Sequence, residues 1–144
     1  MKVGFTGTQK GMTSAQSNTI IRLMRRINLG QTITEIHHGG CIGADSDFHS
    51  LCRSLKLCTP TVHPASDVAD RKRANLEYAI YRYAKPALER NHDIVDSVDI
   101  ILAAPAEAEE IVRSGTWSTI RYARKVKKFY YIIEPSGRTR RRKQ

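Results

Sequence analysis

Short apolar runs that alternate with helical repeats, the first two of them closed by glycine-bearing turns, constrain this chain more than any other feature. Residues 2–6 (KVGFT) form such a run, closed by Gly7. Thr13 and Gln16 have the spacing of a capping box, and Ile20, Ile21, Met24 and Ile27 then recur at helical intervals up to Gly30. Residues 32–38 alternate β-branched and polar side chains and end at Gly39-Gly40, after which Phe48, Leu51, Cys52 and Leu55 restore the helical repeat. Residues 60–63 read as a short strand near a sheet edge because of Pro60. The polar segment 67–84 reads as a helix, and Pro86 opens another that runs through Leu88 and Ile94. Residues 99–103 (DIILA) and 129–133 (FYYII) are strands, with a helix opening at Gly115-Thr116 between them. This alternation gives a parallel sheet covered on both faces. The expectation is a single Rossmann-like, three-layer α/β/α domain over residues 1–135, with a mainly parallel five-stranded sheet. A basic, disordered tail is expected over 136–144.

Charge and cysteine usage narrow the function classes. The net charge of +10 resembles a nucleic-acid signature, but Arg138, Arg140, Arg141, Arg142 and Lys143 crowd the last residues and carry half of it. Such a block reads as a solubilising tail with weak, sequence-independent contact to phosphate or RNA. Cys41, Cys52 and Cys58 are odd in number and form no CxxC pair, which argues against a disulfide framework or a structural zinc site. His37 and His38 are adjacent on a strand, so they face opposite ways and do not converge with Cys41 on a metal. No metal and no cofactor are expected. No stretch approaches the ~18 apolar residues of a membrane helix, and MKVGFTGT lacks the apolar core of a signal peptide, which places the chain in the cytoplasm.

Right-handed crossovers put every strand-to-helix loop at one edge of a parallel sheet. Three glycine-bearing loops fall there: residues 7–11 (GTQKG), 39–43 (GGCIG) and 113–116 (RSGT). Each leads to a helix whose free N–H groups and positive dipole end favour an anion, so the natural occupant carries phosphate. None is a Walker A loop, and no GxGxxG is followed by a ribose-binding acid.

Several motifs in this order resemble the SLOG superfamily: GFTGT on the first strand, HHGGCIGAD on the second, the HP of His63-Pro64, ERN at 89–91 with IVDSVDIILAAP, and SGTWSTIRYA. That group holds the LOG-type cytokinin-activating phosphoribohydrolases, the Rossmann domain of DNA-processing protein A, and small phage and bacterial members. The resemblance implies a nucleotide site in which Gly7, Thr8 and Gln9 lie beside the ligand and Gly39, Gly40 and Gly43 form the second turn. It gives Asp45 a helix cap or a ribose hydroxyl, Arg90 and Asn91 a sugar or phosphate, and Ser114, Gly115 and Thr116 the phosphate loop. Trp117 would stack on a base or pack at the helix start. His63 ends a strand at the ligand edge, where its imidazole would meet a phosphate or base.

One departure bears on chemistry. LOG-type enzymes carry a glutamate three residues beyond the phosphate-loop threonine for cleavage of the N-glycosidic bond, and this chain has Thr119 there. A threonine supplies no carboxylate to an oxocarbenium-like sugar. Glu107, Glu109 and Glu110 are the replacements within reach of that edge. The first functional expectation is therefore a binding protein for a nucleotide-derived signal of the cyclic ADP-ribose or cyclic nucleotide class. It would act as a sensor in anti-phage defence or as a phage-type sponge. The second is an N-glycosidase or phosphoribohydrolase acting on nucleoside monophosphates through one of those glutamates. The third is a single-stranded nucleic-acid binder using Arg71, Lys72, Arg73, Arg82 and Lys85 with Tyr78, Tyr81 and Tyr83. A homo-oligomer is the expected assembly, by analogy with the superfamily.

Overall fold

The computed structural model describes residues 1–142. In chain order the elements are β1 (Lys2–Gly7), α1 (Ser14–Gly30), β2 (Glu35–His38), α2 (Ala44–Ser54), β3 (Thr61–Val62), β4 (Ile80–Tyr81), α3 (Ala87–Asp96), β5 (Ile100–Ala104), α4 (Gly115–Lys125), β6 (Phe129–Ile133) and β7 (Thr139–Arg142). The sheet has seven strands in the order β4-β3-β2-β1-β5-β6-β7, all parallel except β7, which runs antiparallel to β6. The α/β architecture is as the sequence implies, but the expected count of five strands is too low.

Both additional strands lie where sequence signals are weakest. The segment 67–84, expected to be helical, instead has one 3₁₀ turn (Asp70–Lys72) and the two-residue strand β4. A helix there would have no apolar stripe to bury, and no residue from 66 to 84 is buried. Its backbone finds partners elsewhere: Ile42 N–H donates to Lys72 O, Ala74 N–H to Gly40 O, Ile80 N–H to Pro60 O and Arg82 N–H to Val62 O. The expected disordered tail is likewise a strand over Thr139–Arg142, while its last two residues lie outside those described. A tight turn returns the chain, with Glu134 N–H donating to Arg138 O and Gly137 N–H to Glu134 O.

Alternation along the central strands divides the core into two layers. Ile100, Leu102 and Ala104 point toward α1 and α2, joining Val3, Phe5, Ile20, Met24, Phe48 and Ile133. Ile101 and Ala103 point toward α3 and α4, joining Ile94, Val95, Trp117 and Ile120. The capping box at the start of α1 is formed on both sides: Gln16 N–H donates to Thr13 Oγ1 and Thr13 N–H to Gln16 Oε1, each at 3.0 Å. Gln16 Nε2 also donates to Pro105 O and Ile133 O, tying α1 to the ends of β5 and β6.

Phe5 and Phe48 stack with ring centroids 4.2 Å apart and are fully buried, joining β1 to α2 directly beneath the first two glycine loops. Phe48→Ala should lower stability by about 3–5 kcal/mol, the usual cost of a buried aromatic truncation, measured by urea unfolding. A loss under about 1 kcal/mol would show that this contact is not central to the core.

Candidate functional site

The carboxyl ends of β1, β2 and β5 and the start of α4 surround a cleft with a volume of about 140 Å³. Gly7, Thr8 and Gln9 line it from the first loop, Gly39 and Asp45 from the second, Arg90 and Asn91 from α3, and Ser114, Gly115 and Thr116 from the third. All of these sequence-predicted residues therefore face one space. Phe5, Thr6, Cys41, Ile94, Ala106, Glu107 and Thr119 complete the lining.

The loops hold one another by backbone contacts. Thr8 N–H donates to Ala104 O, and Ala44 N–H donates to Thr8 O, fixing the first loop to β5 and to the start of α2. Gly43 has φ of +84°, and a Cβ there would overlap the Gln9 carbonyl, so only glycine lets the first two loops close on each other. Gly39 is required for a different reason. A Cβ on it would lie 2.6 Å from Arg90 Nη1 and 2.9 Å from Asp45 Oδ2, so its missing side chain makes room for both charged groups. At the third loop Ser114 caps α4 by accepting from Trp117 N–H at 3.2 Å, and Gly115 faces open space. Thr119 Oγ1 donates back to Gly115 O at 3.0 Å.

Arg90 is the buried cation of the site. Its Nη1 donates to Gly39 O at 3.0 Å and to His63 O at 2.9 Å, and its Nε donates to Asn91 Oδ1 at 2.8 Å. Asp45 is buried beside it and accepts Cys41 N–H at 3.1 Å. Burial pushes the Asp45 carboxyl up to about 6, against the opposing pull of the Cys41 N–H and the Arg90 charge. The residue at the cap position of α2 is Gly43, so the Asp45 carboxylate holds the loop before the helix instead of capping it. Asp47 is exposed and accepts Met12 N–H.

Two histidine chains run outward from β2, one from each face, as strand alternation dictates. Gly40 N–H donates to His38 Nδ1, so the His38 proton sits on Nε2 and is donated to His49 Nδ1 at 2.9 Å. His49 Nε2–H then donates to Glu77 O at 2.7 Å, anchoring the irregular 67–84 segment to α2. On the other face His37 Nε2 is 2.9 Å from Glu35 Oε2, and His37 Nδ1 is 2.8 Å from His63 Nε2. Burial holds His38 down to about 3 and His63 to about 4, with like-charge neighbours adding to both. Burial also lowers His37.

The remaining sequence-predicted residues lie elsewhere. Trp117 is 1% exposed and packs among Ile94, Val95 and Ile120, so it stacks on no ligand, and its Nε1–H finds no acceptor among the described residues. Gly40 and Gly43 shape the second loop without lining the cleft. His63 borders a separate cavity beyond Arg90. Of the three glutamates only Glu107 reaches the cleft; Glu110 pairs with Arg121 and Arg124, and Glu109 borders the β6–β7 surface. Cys41 in the cleft wall was legible from its place inside GGCIG. Thr6 and Ala106 carried no chemical signal. Among the described residues no three His, Cys, Asp or Glu side chains gather as metal ligands, and no helix is long and apolar enough to cross a membrane.

No family model matches the chain, and no curated protein matches it. Among solved structures it is similar to the X-ray structure of TM1055, a structural genomics target, with a TM-score of 0.62 and 16% identity. The alignment covers 89% of this chain and 71% of that one. The likeness is one of fold. It supports a Rossmann-like α/β architecture.

Two outcomes follow for stability. Gly43→Ala should cost more than about 1 kcal/mol in urea unfolding, because φ is positive and the Gln9 carbonyl must move; an unchanged midpoint would contradict the loop contact. Stability should also rise with pH from about 4 to about 6.5 and level off above. Unfolded histidines protonate near 6.5 whereas folded His38 and His63 stay neutral to about 3 and about 4, so the unfolded state gains more protons as pH falls through that window. Asp45, raised to about 6 from 3.8, works in the opposite sense but is one group against three lowered histidines. Urea midpoints at several pH values check the slope, and a flat profile would refute it.

Proposed function

We propose that the chain binds a nucleotide or nucleotide-derived signalling molecule of the cyclic ADP-ribose or cyclic nucleotide class through its phosphate. The observation that carries this reading is the convergence of three glycine loops and the Arg90 guanidinium on one cleft that includes the open N-terminus of α4. The order of motifs resembling the SLOG superfamily supports the same ligand class. Binding without turnover, as a sensor or as a sponge that sequesters an immune signal, is the first form of the proposal. Thr119 lines the cleft where LOG-type enzymes use glutamate, and its hydroxyl is already committed to Gly115 O.

A second reading is hydrolysis of the N-glycosidic bond of a nucleoside monophosphate. It is favoured by Glu107 and by Asp45, a buried acid that titrates near 6, within the same cleft. Here Asp45 or Glu107 would supply the carboxylate that Thr119 lacks.

Incubation of the protein with nucleoside monophosphates, cyclic dinucleotides and cyclic ADP-ribose isomers, followed by filtration, heat release and mass spectrometry, separates the two. Depletion and recovery of an unchanged molecule is the expected result. Free base and sugar phosphate, abolished by Glu107→Gln or Asp45→Asn, would establish the hydrolase instead. Gly115→Asp tests the phosphate site itself, because a Cβ at this position meets nothing within 4 Å and the substitution brings a negative charge to the helix start. It should leave the fold intact by circular dichroism and weaken binding at least tenfold; undiminished affinity would place the ligand elsewhere.

A further inference from the structure

The cleft is small for a whole nucleotide. Its volume of about 140 Å³ lies below the ~300–1,000 Å³ typical of small-molecule sites. A second cavity of about 450 Å³ adjoins it, bordered by His63, Tyr81, Arg82, Tyr83, Lys85 and Asp93. Arg90 lines both spaces. Its Nη1 donates to Gly39 O and to His63 O, so this one side chain forms the boundary between the two spaces.

The hydrogen-bond order fixes what this second cavity presents. Glu35 also pairs with Lys2 at 2.9 Å, and both partners hold its carboxyl below the usual range, so it is an acceptor. His37 therefore donates Nε2–H to Glu35 and keeps a lone pair on Nδ1. His63 must then donate its Nε2–H to His37 Nδ1, which leaves His63 Nδ1 as a bare acceptor on a ring that borders the cavity. Burial keeps His63 neutral down to about 4, so the lone pair is present at neutral pH. Around it stand two tyrosines that the protein leaves uncovered, Tyr81 at 51% and Tyr83 at 97% exposure. Lys85 is engaged by Asp93 at 2.7 Å and by Glu89 at 3.7 Å.

We infer that this second cavity is the subsite for an amino-bearing nucleobase, whose exocyclic N–H is accepted by His63 Nδ1 and whose ring lies against Tyr81 and Tyr83. The inference rests on the reading that phosphate occupies the cleft. A flat ring with a donor at its edge is what an acceptor imidazole beside exposed tyrosines recognises. The Glu35–His37–His63 chain is then a positioning device that sets the tautomer of the recognising nitrogen.

Calorimetry with ribose 5-phosphate, AMP, GMP and CMP tests it. At least one of the three nucleotides should bind tenfold or more tighter than ribose 5-phosphate. His63→Phe should abolish that gain, with a circular dichroism spectrum matching that of the unsubstituted protein to show that the variant is folded. Tyr83→Ala, at a fully exposed position that cannot disturb the core, should reduce the gain at least threefold. The inference is overturned if no nucleotide binds tighter than ribose 5-phosphate, or if the gain survives His63→Phe. Binding of none of the four probes would overturn the phosphate reading and this inference together. Histidine ¹⁵N chemical shifts give a check without ligand: His63 should carry its proton on Nε2 at pH 7, and a proton on Nδ1 would overturn the proposal.

Discussion

A single buried guanidinium organises the site. Stripping an arginine of water is costly unless its donors are matched, and Arg90 is matched by the carbonyls of Gly39 and His63 and by the Asn91 side chain. Those carbonyls are at the exits of two neighbouring strands, β2 and β3, whose ladders have ended. Without the arginine both would be acceptors with no donor in the interior. The charge therefore ties α3 to the carboxyl edge of the sheet, and the absence of a side chain at Gly39 is the steric condition for that tie. Asp45 shares the space and feels the same cation, yet burial still dominates its proton affinity.

The paired histidines of β2 show how one local rule reaches distant parts of the molecule. Adjacent residues on a strand face opposite layers, so His37 is directed to β3 and His38 to α2. Each chain has an end whose polarity is not negotiable: a backbone N–H at Gly40 for one, a carboxylate at Glu35 for the other. The protons in between have only one consistent order. One chain closes on the carbonyl of Glu77 and holds a segment with no helix of its own; the other closes on a cavity wall.

Much of this was legible in the sequence because it is local. Short apolar runs mark five of the strands near their true places, and right-handed crossovers gather the glycine loops on one edge. What was not legible depended on partners. Residues 80–81 become a strand only because β3 offers an open edge, and nothing in their own spacing says so. Arg140, Arg141 and Arg142 look like a solvated tail until β6 pairs with them. Where the sequence leaves alternatives open at the site, register decides between them. Trp117, Ile120 and Ala123 recur every third residue, a buried stripe visible in the sequence, and that stripe takes Trp117 into the core. Glu110 pairs with Arg121 and Arg124 of α4, and Glu109 borders the β6–β7 surface.

Among the described residues the basic strand β7 is the last in the sheet, so one row of its N–H and C=O groups faces outward without a ladder. Such an edge ordinarily invites another strand. A second copy arriving there would set its own Arg140, Arg141 and Arg142 against these, like charge opposite like charge. Cations that contribute to the chain's high net charge thus oppose strand addition on this side.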